Sequence, residues 1–240
     1  MFELNTIYNE DCMEGMKQIP NNSIDLIATD PPYKTTSRGN AGNSGGMLQK
    51  EVNLKGKVFK HNDISPKDYV PEFYRVLKDG SHCYIMTNHV NLQKILNVCT
   101  ENGFKFIKSI IWDKGNKIMG QFYMSQFEYI LFFRKGRGIK INNCGTPDIL
   151  SIPNKKTKDK NGKNLHDTEK PIDLMKILIE NSSKENDLVL DPFMGSGTTA
   201  IACLNTDRQY IGFELDPDYY NQATKRLERH KSQLNLFIDF

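Results

Sequence analysis

The sequence has no long hydrophobic run and no paired cysteines. Among its 240 residues, no apolar segment approaches the roughly 20 residues that a membrane-spanning helix needs, and residues 1–5 lack the basic and then apolar order of a signal peptide. The five cysteines stand singly, without a Cys-x-x-Cys pair. These absences argue against a membrane protein, a disulfide framework and a zinc knuckle. We therefore expect a cytoplasmic protein that binds no metal.

The net positive charge of the whole chain is small, but positive charge is concentrated in two segments. The net charge is only +3, yet residues 34–60 carry a net charge of +5, residues 134–164 carry +7 and the remainder carries −9. Hydrophobic residues make up 38% and charged residues 25% of the chain, so it can bury a core and stay soluble. Two basic segments on an acidic body indicate a polyanionic partner such as nucleic acid. Two solvated lysine-rich loops would give the same counts, and charge alone does not separate the two interpretations.

Outside these segments, short apolar runs alternate with segments of helical periodicity. Strands are predicted at 23–28, 82–86, 104–112, 127–133, 188–190 and 210–214, and helices at 66–77, 91–102, 171–181, 197–205 and 217–229. Asp79 and Gly80 are interpreted as the end of the first of these helices, and residues 225–230 as a solvated helix face. This alternation predicts an α/β fold with a mostly parallel sheet and helices on both faces.

A glycine-containing loop, residues 191–198 (DPFMGSGT), follows a predicted strand and opens a helix. It has neither the Gly-Lys-Ser/Thr of a phosphate-binding Walker loop nor a full Gly-x-Gly-x-x-Gly, which disfavours a dinucleotide. Glu214 ends the next strand, where an acidic side chain can accept hydrogen bonds from both ribose hydroxyls. A lone Gly-x-Gly is usually a packing turn, but the agreement of strand, loop, helix, strand and acid favours a nucleoside-containing cofactor.

A second motif, residues 29–33 (TDPPY), lies just past the carboxyl end of a buried strand. Open α/β sheets bind ligands at that edge. Two prolines stiffen the backbone there, so a carboxylate and fixed carbonyls can accept both hydrogens of an exocyclic amine, and the tyrosine can stack on a base. A proline-stiffened turn with Asp30 as a cap is the structural alternative, but Asp-Pro-Pro-Tyr at a strand end is far more specific.

Together the two motifs resemble the S-adenosylmethionine-dependent DNA amino-methyltransferases. The order, with Asp-Pro-Pro-Tyr before the glycine loop, resembles their circularly permuted β group, and further matches run nearly the whole length. Residues 9–12 (NEDC), 111–114 (IWDK) and 128–131 (EYIL) resemble the opening segment and the late strands, and residues 166–171 (HDTEKP) resemble a His-Pro-Thr-Gln-Lys-Pro element. In that element Asp167 replaces Pro and Glu169 replaces Gln, so no cofactor role is assigned to either.

The resemblance implies a Rossmann-like methyltransferase fold with a mixed, mostly parallel seven-stranded sheet, as a single domain over residues 1–240. It implies a flipped-out adenine as target, with the catalytic residues Asp30, Pro31, Pro32 and Tyr33. It implies S-adenosylmethionine as cofactor, bound by Asp11, Cys12, Asp30, Lys170, Asp191, Phe193, Gly195, Ser196, Gly197, Thr198, Glu214 and Asp216. The predicted contacts to double-stranded DNA come from a basic loop at 34–64 and a short target-recognition segment at about 134–165, through Lys34, Arg38, Lys55, Lys57, Arg137, Lys155, Lys156 and Lys158.

Several alternatives stay open. In the resembling families an Asp at position 30 goes mostly with adenine and a Ser mostly with cytosine, which favours adenine N6 over cytosine N4 here. A cytosine-N4 DNA methyltransferase, an RNA methyltransferase and a non-catalytic nucleic-acid-binding module on the same scaffold are the other hypotheses. A homodimer and a cognate restriction endonuclease are expected as partners from the resemblance alone.

Overall fold

The fold is described from a computed structural model, which describes residues 2–32, 64–118, 123–154 and 169–238. Most of the predicted DNA-facing loop at 34–64 lies outside these ranges, as do residues 155–165 of the predicted target-recognition segment. The same holds for one catalytic and seven DNA-contact predictions, namely Tyr33, Lys34, Arg38, Lys55, Lys57, Lys155, Lys156 and Lys158.

The described residues form one eight-stranded sheet. Its strands are β1 (Thr6–Tyr8), β2 (Ile24–Thr29), β3 (Leu77–Thr87), β4 (Lys105–Ile118), β5 (Ser125–Arg134), β6 (Ile149–Ser151), β7 (Leu188–Asp191) and β8 (Gln209–Phe213). They are ordered β1-β8-β7-β2-β3-β5-β4-β6. Of these eight, β5 alone runs antiparallel to its neighbours. The carboxyl ends of the other seven therefore lie at one edge of the sheet.

Six helices in the described ranges cover both faces. They are α1 (Cys12–Gln18), α2 (Pro66–Val76), α3 (Leu92–Glu101), α4 (Ile172–Ser182), α5 (Thr198–Leu204) and α6 (Pro217–Ile238). Helices α1 to α3 pack on one face through residues such as Met16 and Phe73, and α4 to α6 pack on the other through residues such as Leu178 and Ala200. Within these ranges, no helix combines the length and apolar character that crossing a membrane requires.

The predicted α/β fold with helices on both faces of a mostly parallel sheet is confirmed. The sheet has eight strands instead of seven, because the three-residue β6 adds a parallel strand at the edge beside β4. The helix predicted at 66–77 begins with a capping box at Ser65 and Asp68, but Asp79 and Gly80 do not end it, since both lie inside β3. Helix α6 continues past residue 229 to Ile238. The short elements β1, α1 and β6 were not predicted.

Candidate active site

The predicted site residues converge at the carboxyl edge of the sheet. Glu214 follows β8, Asp191 ends β7 and Asp30 follows β2, and these three strands are neighbours. Since paired strands lie about 4.8 Å apart, β8 and β2 are separated by roughly 10 Å. Pro31, which is buried, and the half-buried Pro32 continue from Asp30. The parallel topology therefore aligns three carboxylates that are widely separated in the sequence.

Asp191 braces the glycine loop against β2. Its Oδ1 accepts hydrogen bonds from Thr29 Oγ1 (2.6 Å) and the Phe193 amide (3.1 Å), and its Oδ2 accepts one from Thr199 Oγ1 (2.5 Å). Burial raises the pKa of the Asp191 carboxyl to about 6, although these hydrogen bonds favour the charged form. Because the protein engages both oxygens of its carboxylate, the observed role of Asp191 is to shape the loop.

The loop itself brings backbone close to the edge. Gly195 and Gly197 have φ angles of +54° and +78°, values at which a residue with Cβ is strained. Gly197 is the N-cap of α5, and a Cβ there would come within 3.3 Å of Ala223 Cβ. The side chains of Ser196 and Thr198 are buried, with their hydroxyl oxygens 3.2 Å apart. Phe193 packs edge-on against Tyr69 of α2. The loop is thus fixed from both faces of the sheet.

Glu214 is tied to the loop and to the next turn. Its Oε2 accepts from the Gly195 amide (2.8 Å) and its Oε1 from the Asp216 amide (2.9 Å). Burial raises the pKa of the Glu214 carboxyl, and the two amides oppose that rise. An ionised carboxylate offers about four acceptor sites, so each oxygen keeps capacity for a ribose hydroxyl. Asp216 caps α6, accepting from the Asp218 amide at 2.9 Å.

The segment after β1 lies beside Glu214. Asn9 donates to the Glu214 carbonyl oxygen at 2.8 Å, and Asp11 caps α1 by accepting from the Met13 amide at 2.7 Å. Burial, and then the neighbouring Asp11 charge, raise the pKa of the Cys12 thiol to about 12. Cys12 is therefore a protonated, apolar wall residue, and the predicted cofactor residues 11 and 12 adjoin the predicted ribose acceptor.

At the other end of the edge, charges alternate along a chain of four side chains. The Lys170 ammonium donates to Asp30 Oδ2 and lies 3.8 Å from Glu128 Oε2. Glu128 Oε1 in turn pairs with Lys114. The β4–β5 register, which pairs Trp112 with Glu128, brings the last two together. Asp30 Oδ1 and Glu128 Oε2 are buried, and neither has a hydrogen-bond donor among the described residues.

These contacts set the protonation of the four side chains. Burial raises the pKa of the Asp30 carboxyl, Lys170 opposes the rise and Glu128 adds to it. Burial would lower the pKa of Lys170, but the Asp30 and Glu128 carboxylates outweigh it and the pKa is raised. Although burial works against the Glu128 charge, the two lysines hold the pKa of Glu128 below its usual value. The arrangement keeps Lys170 charged and leaves Asp30 Oδ1 as an open acceptor.

Four site residues were missed by sequence reasoning. Lys114 and Glu128 were assigned only to strands, and Glu169 was given no cofactor role. Arg226 lies in the run interpreted as solvated, and that interpretation is wrong for it: its guanidinium pairs with the buried Glu169 at 2.5 Å and donates to the Ser196 carbonyl oxygen at 2.9 Å. Helical spacing puts Arg226 and Ala223, three residues apart, on the same helix face, but only the structure shows that this face packs on the loop.

The first part of the predicted target-recognition segment lies at the opposite edge. Arg134 ends β5, where it pairs with His82 near the start of the buried part of β3. Lys135 is buried, and the Arg137 carbonyl oxygen lies next to Gly80. Arg137 therefore lies near the edge opposite Asp30, which a count of charges does not reveal, and its contact to DNA stays a prediction.

Comparison with known protein families matches residues 24–225 to the family described as DNA methylase, whose members are N6/N4 methyltransferases. The chain is 32% identical, over 97% of its length and 70% of the relative's, to the Type II methyltransferase M.HinfI of Haemophilus influenzae. It is 31% identical, over 92% of its length and 86% of the relative's, to the Type II methyltransferase M2.MboI of Moraxella bovis.

Solved structures give the same picture. A crystal structure of M1.HpyAVI in complex with S-adenosylmethionine aligns with 92% of this chain and 99% of its own, at 26% identity and a TM-score of 0.67. The cytosine-N4-specific PvuII DNA methyltransferase aligns with 96% of this chain and 91% of its own, at a TM-score of 0.71 but 19% identity. At that identity the second likeness supports the fold alone.

Proposed function

The chain belongs to the DNA methylase family, and on that premise we propose that it methylates the N6 amino group of an adenine flipped out of double-stranded DNA. Members of this family are S-adenosylmethionine-dependent DNA methyltransferases. The observation that supports a binding position for the target amine is Asp30 Oδ1. It is a buried acceptor without a donor among the described residues, and it lies beside two prolines at the carboxyl edge. Buried polar atoms are rarely left unpaired, so a ligand amine is a fitting donor.

The residues at the edge fit the cofactor. Glu214 would accept hydrogen bonds from the ribose hydroxyls. A Cβ at Gly195 would meet only the Phe193 carbonyl oxygen, at 3.9 Å, which leaves room for a ligand beside the backbone, whereas Gly197 makes room for Ala223 of α6. Asp11 and Cys12 would border the adenine ring, and Lys170 would offer a cation to the carboxylate of the methionine part. When bound, S-adenosylmethionine supplies an electrophilic methyl group on a sulfonium. Asp191 would keep the glycine loop in the position that cofactor binding needs, through its hydrogen bonds to Thr29, Phe193 and Thr199.

Asp30 is proposed to act on the target amine. The lone pair of an exocyclic amine is delocalised into the base, so the nitrogen is a weak nucleophile. Asp30 Oδ1 and the Pro31 carbonyl oxygen would each accept one amine hydrogen and favour a tetrahedral nitrogen whose lone pair faces the methyl group, an effect of positioning and electrostatics. The amine becomes acidic only after it gains the methyl, so Asp30 then holds or passes on a proton that is leaving readily.

The remaining predicted roles are part of the proposal. Tyr33 would stack on the flipped base, and the segments 34–64 and about 134–165 would contact DNA, within a single methyltransferase domain over residues 1–240. A homodimer and a cognate restriction endonuclease are proposed partners by analogy with type II relatives. We propose a cytoplasmic location, where DNA and the cofactor are available and where the cysteines, all five of which are free, stay reduced.

The test is mass spectrometry of nucleosides from DNA that the purified protein has methylated with labelled S-adenosylmethionine. N6-methyladenine is the expected product. N4-methylcytosine would overturn the choice of target base, and label in RNA but not in DNA would overturn the choice of substrate. Absence of any transfer by a protein that binds S-adenosylmethionine would favour the non-catalytic alternative.

A further inference from the structure

We propose that Arg226 and Glu169 are positioning residues that lock the cofactor loop to the segment carrying Lys170. The proposal rests on the proposed function, because it concerns the same cofactor site. Glu169 departs from the Gln of the element that residues 166–171 resemble, and Arg226 lies in a run that was interpreted as a solvated helix face. Neither residue was assigned a role from the sequence. What brings them together is the packing of α6 on the loop.

Arg226 uses the two ends of its guanidinium for two different segments. Nη1 donates to the Ser196 carbonyl oxygen at 2.9 Å and to Thr198 Oγ1 at 3.1 Å. Nη2 pairs with Glu169 Oε1 at 2.5 Å. Thr198 Oγ1 is also 3.3 Å from the Lys170 carbonyl oxygen. The planar fork of an arginine reaches the two segments with two nitrogens held a fixed distance apart, a geometry that the single nitrogen of a lysine does not reproduce.

The helix face that presents Arg226 is held against the loop independently. Ala223, one turn earlier, is fully buried and packs so closely on Gly197 that a Cβ there would lie 3.3 Å from its own. Arg226 is therefore delivered to the loop by apolar packing as well as by its hydrogen bonds. Its side chain is 19% exposed, in contrast to a solvated helix face.

Glu169 adds a buried charge to the lock. The family element has Gln at this position, and here a Glu with only 4% of its side chain exposed replaces it. A buried carboxylate needs a close cation, so Arg226 is required in two ways: it shapes the loop, and it compensates a buried charge. Glu169 precedes Lys170, whose ammonium contacts Asp30, so the lock also fixes the residue beside the catalytic carboxylate.

Isothermal titration of S-adenosylmethionine into the full-length protein tests the proposal. Arg226→Lys keeps a cation near Glu169 but loses the fork, and we expect affinity about 10-fold weaker, the scale of one charged hydrogen bond. The KM for S-adenosylmethionine should rise in parallel, while kcat at saturating cofactor changes little. Glu169→Gln restores the family residue and leaves the fork in place, so affinity should stay within about twofold of the original.

Arg229→Lys is the matched control, because Arg229 is exposed on the same helix one turn further on. If Arg226→Lys proves unstable, the charge-neutral double variant Arg226→Gln with Glu169→Gln replaces it, and it should weaken cofactor binding as much while thermal unfolding stays near the original. The proposal is overturned if folded Arg226→Lys, or the folded double variant, binds S-adenosylmethionine with unchanged affinity. An equal loss of affinity in Arg229→Lys also overturns it. The binding readout is separate from methyl transfer, so a failure of the adenine assignment leaves it standing.

Discussion

Two buried lysines at opposite edges of the sheet have partners of different kinds. At the amino edge, Lys135 donates to three neutral oxygens, those of Asn22 Oδ1 (2.7 Å), the Tyr74 carbonyl (2.6 Å) and the Leu77 carbonyl (2.7 Å). An ammonium has three hydrogens, so every one is used. Burial lowers the pKa of Lys135. Nothing is left over on this ammonium for a ligand.

At the carboxyl edge, Lys170 meets carboxylates instead. Asp30 and Glu128 raise its pKa in spite of burial, and each keeps one buried oxygen without a donor among the described residues. Neither lysine exposes much of its surface to solvent, so low exposure does not tell structure from function. The difference is in the hydrogen bonds around each ammonium: Lys135 uses all three of its hydrogens, whereas the two carboxylates beside Lys170 each keep one open acceptor.

Removing the open acceptor should have the largest effect. We expect Asp30→Ala to lower kcat by at least about 10²–10³-fold, because the carboxylate acts on charge that develops in the transition state. Because Lys170 keeps Glu128 as a second carboxylate partner, the variant should stay folded, and thermal unfolding checks this. Single-turnover methyl transfer measures the rate, and calorimetry of S-adenosylmethionine serves as the control for binding. Robust transfer by this variant would contradict the role of Asp30.

Glu214→Ala should act on the cofactor rather than on the transition state. Loss of a bidentate charged contact, together with the support it gives the Gly195 amide, should weaken S-adenosylmethionine binding by roughly 30–150-fold, or about 2–3 kcal/mol. DNA affinity should change little, because Glu214 lies at the far end of the row from Asp30. Calorimetry that finds unchanged cofactor affinity would remove Glu214 from the site.

The amino-edge lysine should behave in the opposite way. Lys135→Met leaves three oxygens without their donor, and we expect the free energy of unfolding to fall by about 2–4 kcal/mol. The values of KM and kcat for the folded fraction should stay the same. Urea unfolding measures the first and steady-state methylation the second. A loss of activity larger than the loss of folded protein would contradict a purely structural role for Lys135.

DNA contact should also differ between the edges. Neutralising Lys155, Lys156, Lys158 and Lys160 together should flatten the salt dependence of DNA binding, since each phosphate contact contributes about 0.9 to the slope of log K against log salt. Lys184→Ala, which removes an exposed lysine just before β7 at the amino edge, should leave that slope unchanged and is the control. An unaltered slope in the quadruple variant would move DNA contact to the 34–60 segment.

The smallest expected effect is a shift in pH dependence. The Glu128 charge raises the pKa of Asp30, so Glu128→Gln should lower that pKa and move the acid limb of the kcat profile to lower pH. The groups that face Asp30 electrostatically are Lys170, Glu128, Lys114, Asp191 and Tyr69. Lys78→Gln, which alters an exposed partner of Asp25, is the control that should leave the limb in place. A shift to higher pH would contradict the charge-sharing geometry.

Sequence reasoning reached the fold and the row of carboxylates because both follow from local patterns. The β7–α5–β8 unit has its strand, glycine turn, helix and acid in continuous order, and Asp30 follows a run that only a buried strand explains. Arg226 was missed because the periodicity of a helix shows which residues share a face but not what packs on that face. Lys114 and Glu128 depend on strand register, and Arg137 on which edge its turn occupies, so neither outcome follows from composition or spacing.

The pairing of β1 with β8 has a consequence for how the chain is made. Thr6 lies opposite Ile211, and Asn9 holds the carbonyl of Glu214 across 205 positions. A nascent chain therefore exposes an unpaired β1 until its last strand has emerged, and pairing over such a separation is slow to form. Until then Glu214 is missing as well. Free S-adenosylmethionine can stabilise only the completed fold, so any fragment ending before β8 gains no protection from its cofactor against proteolysis.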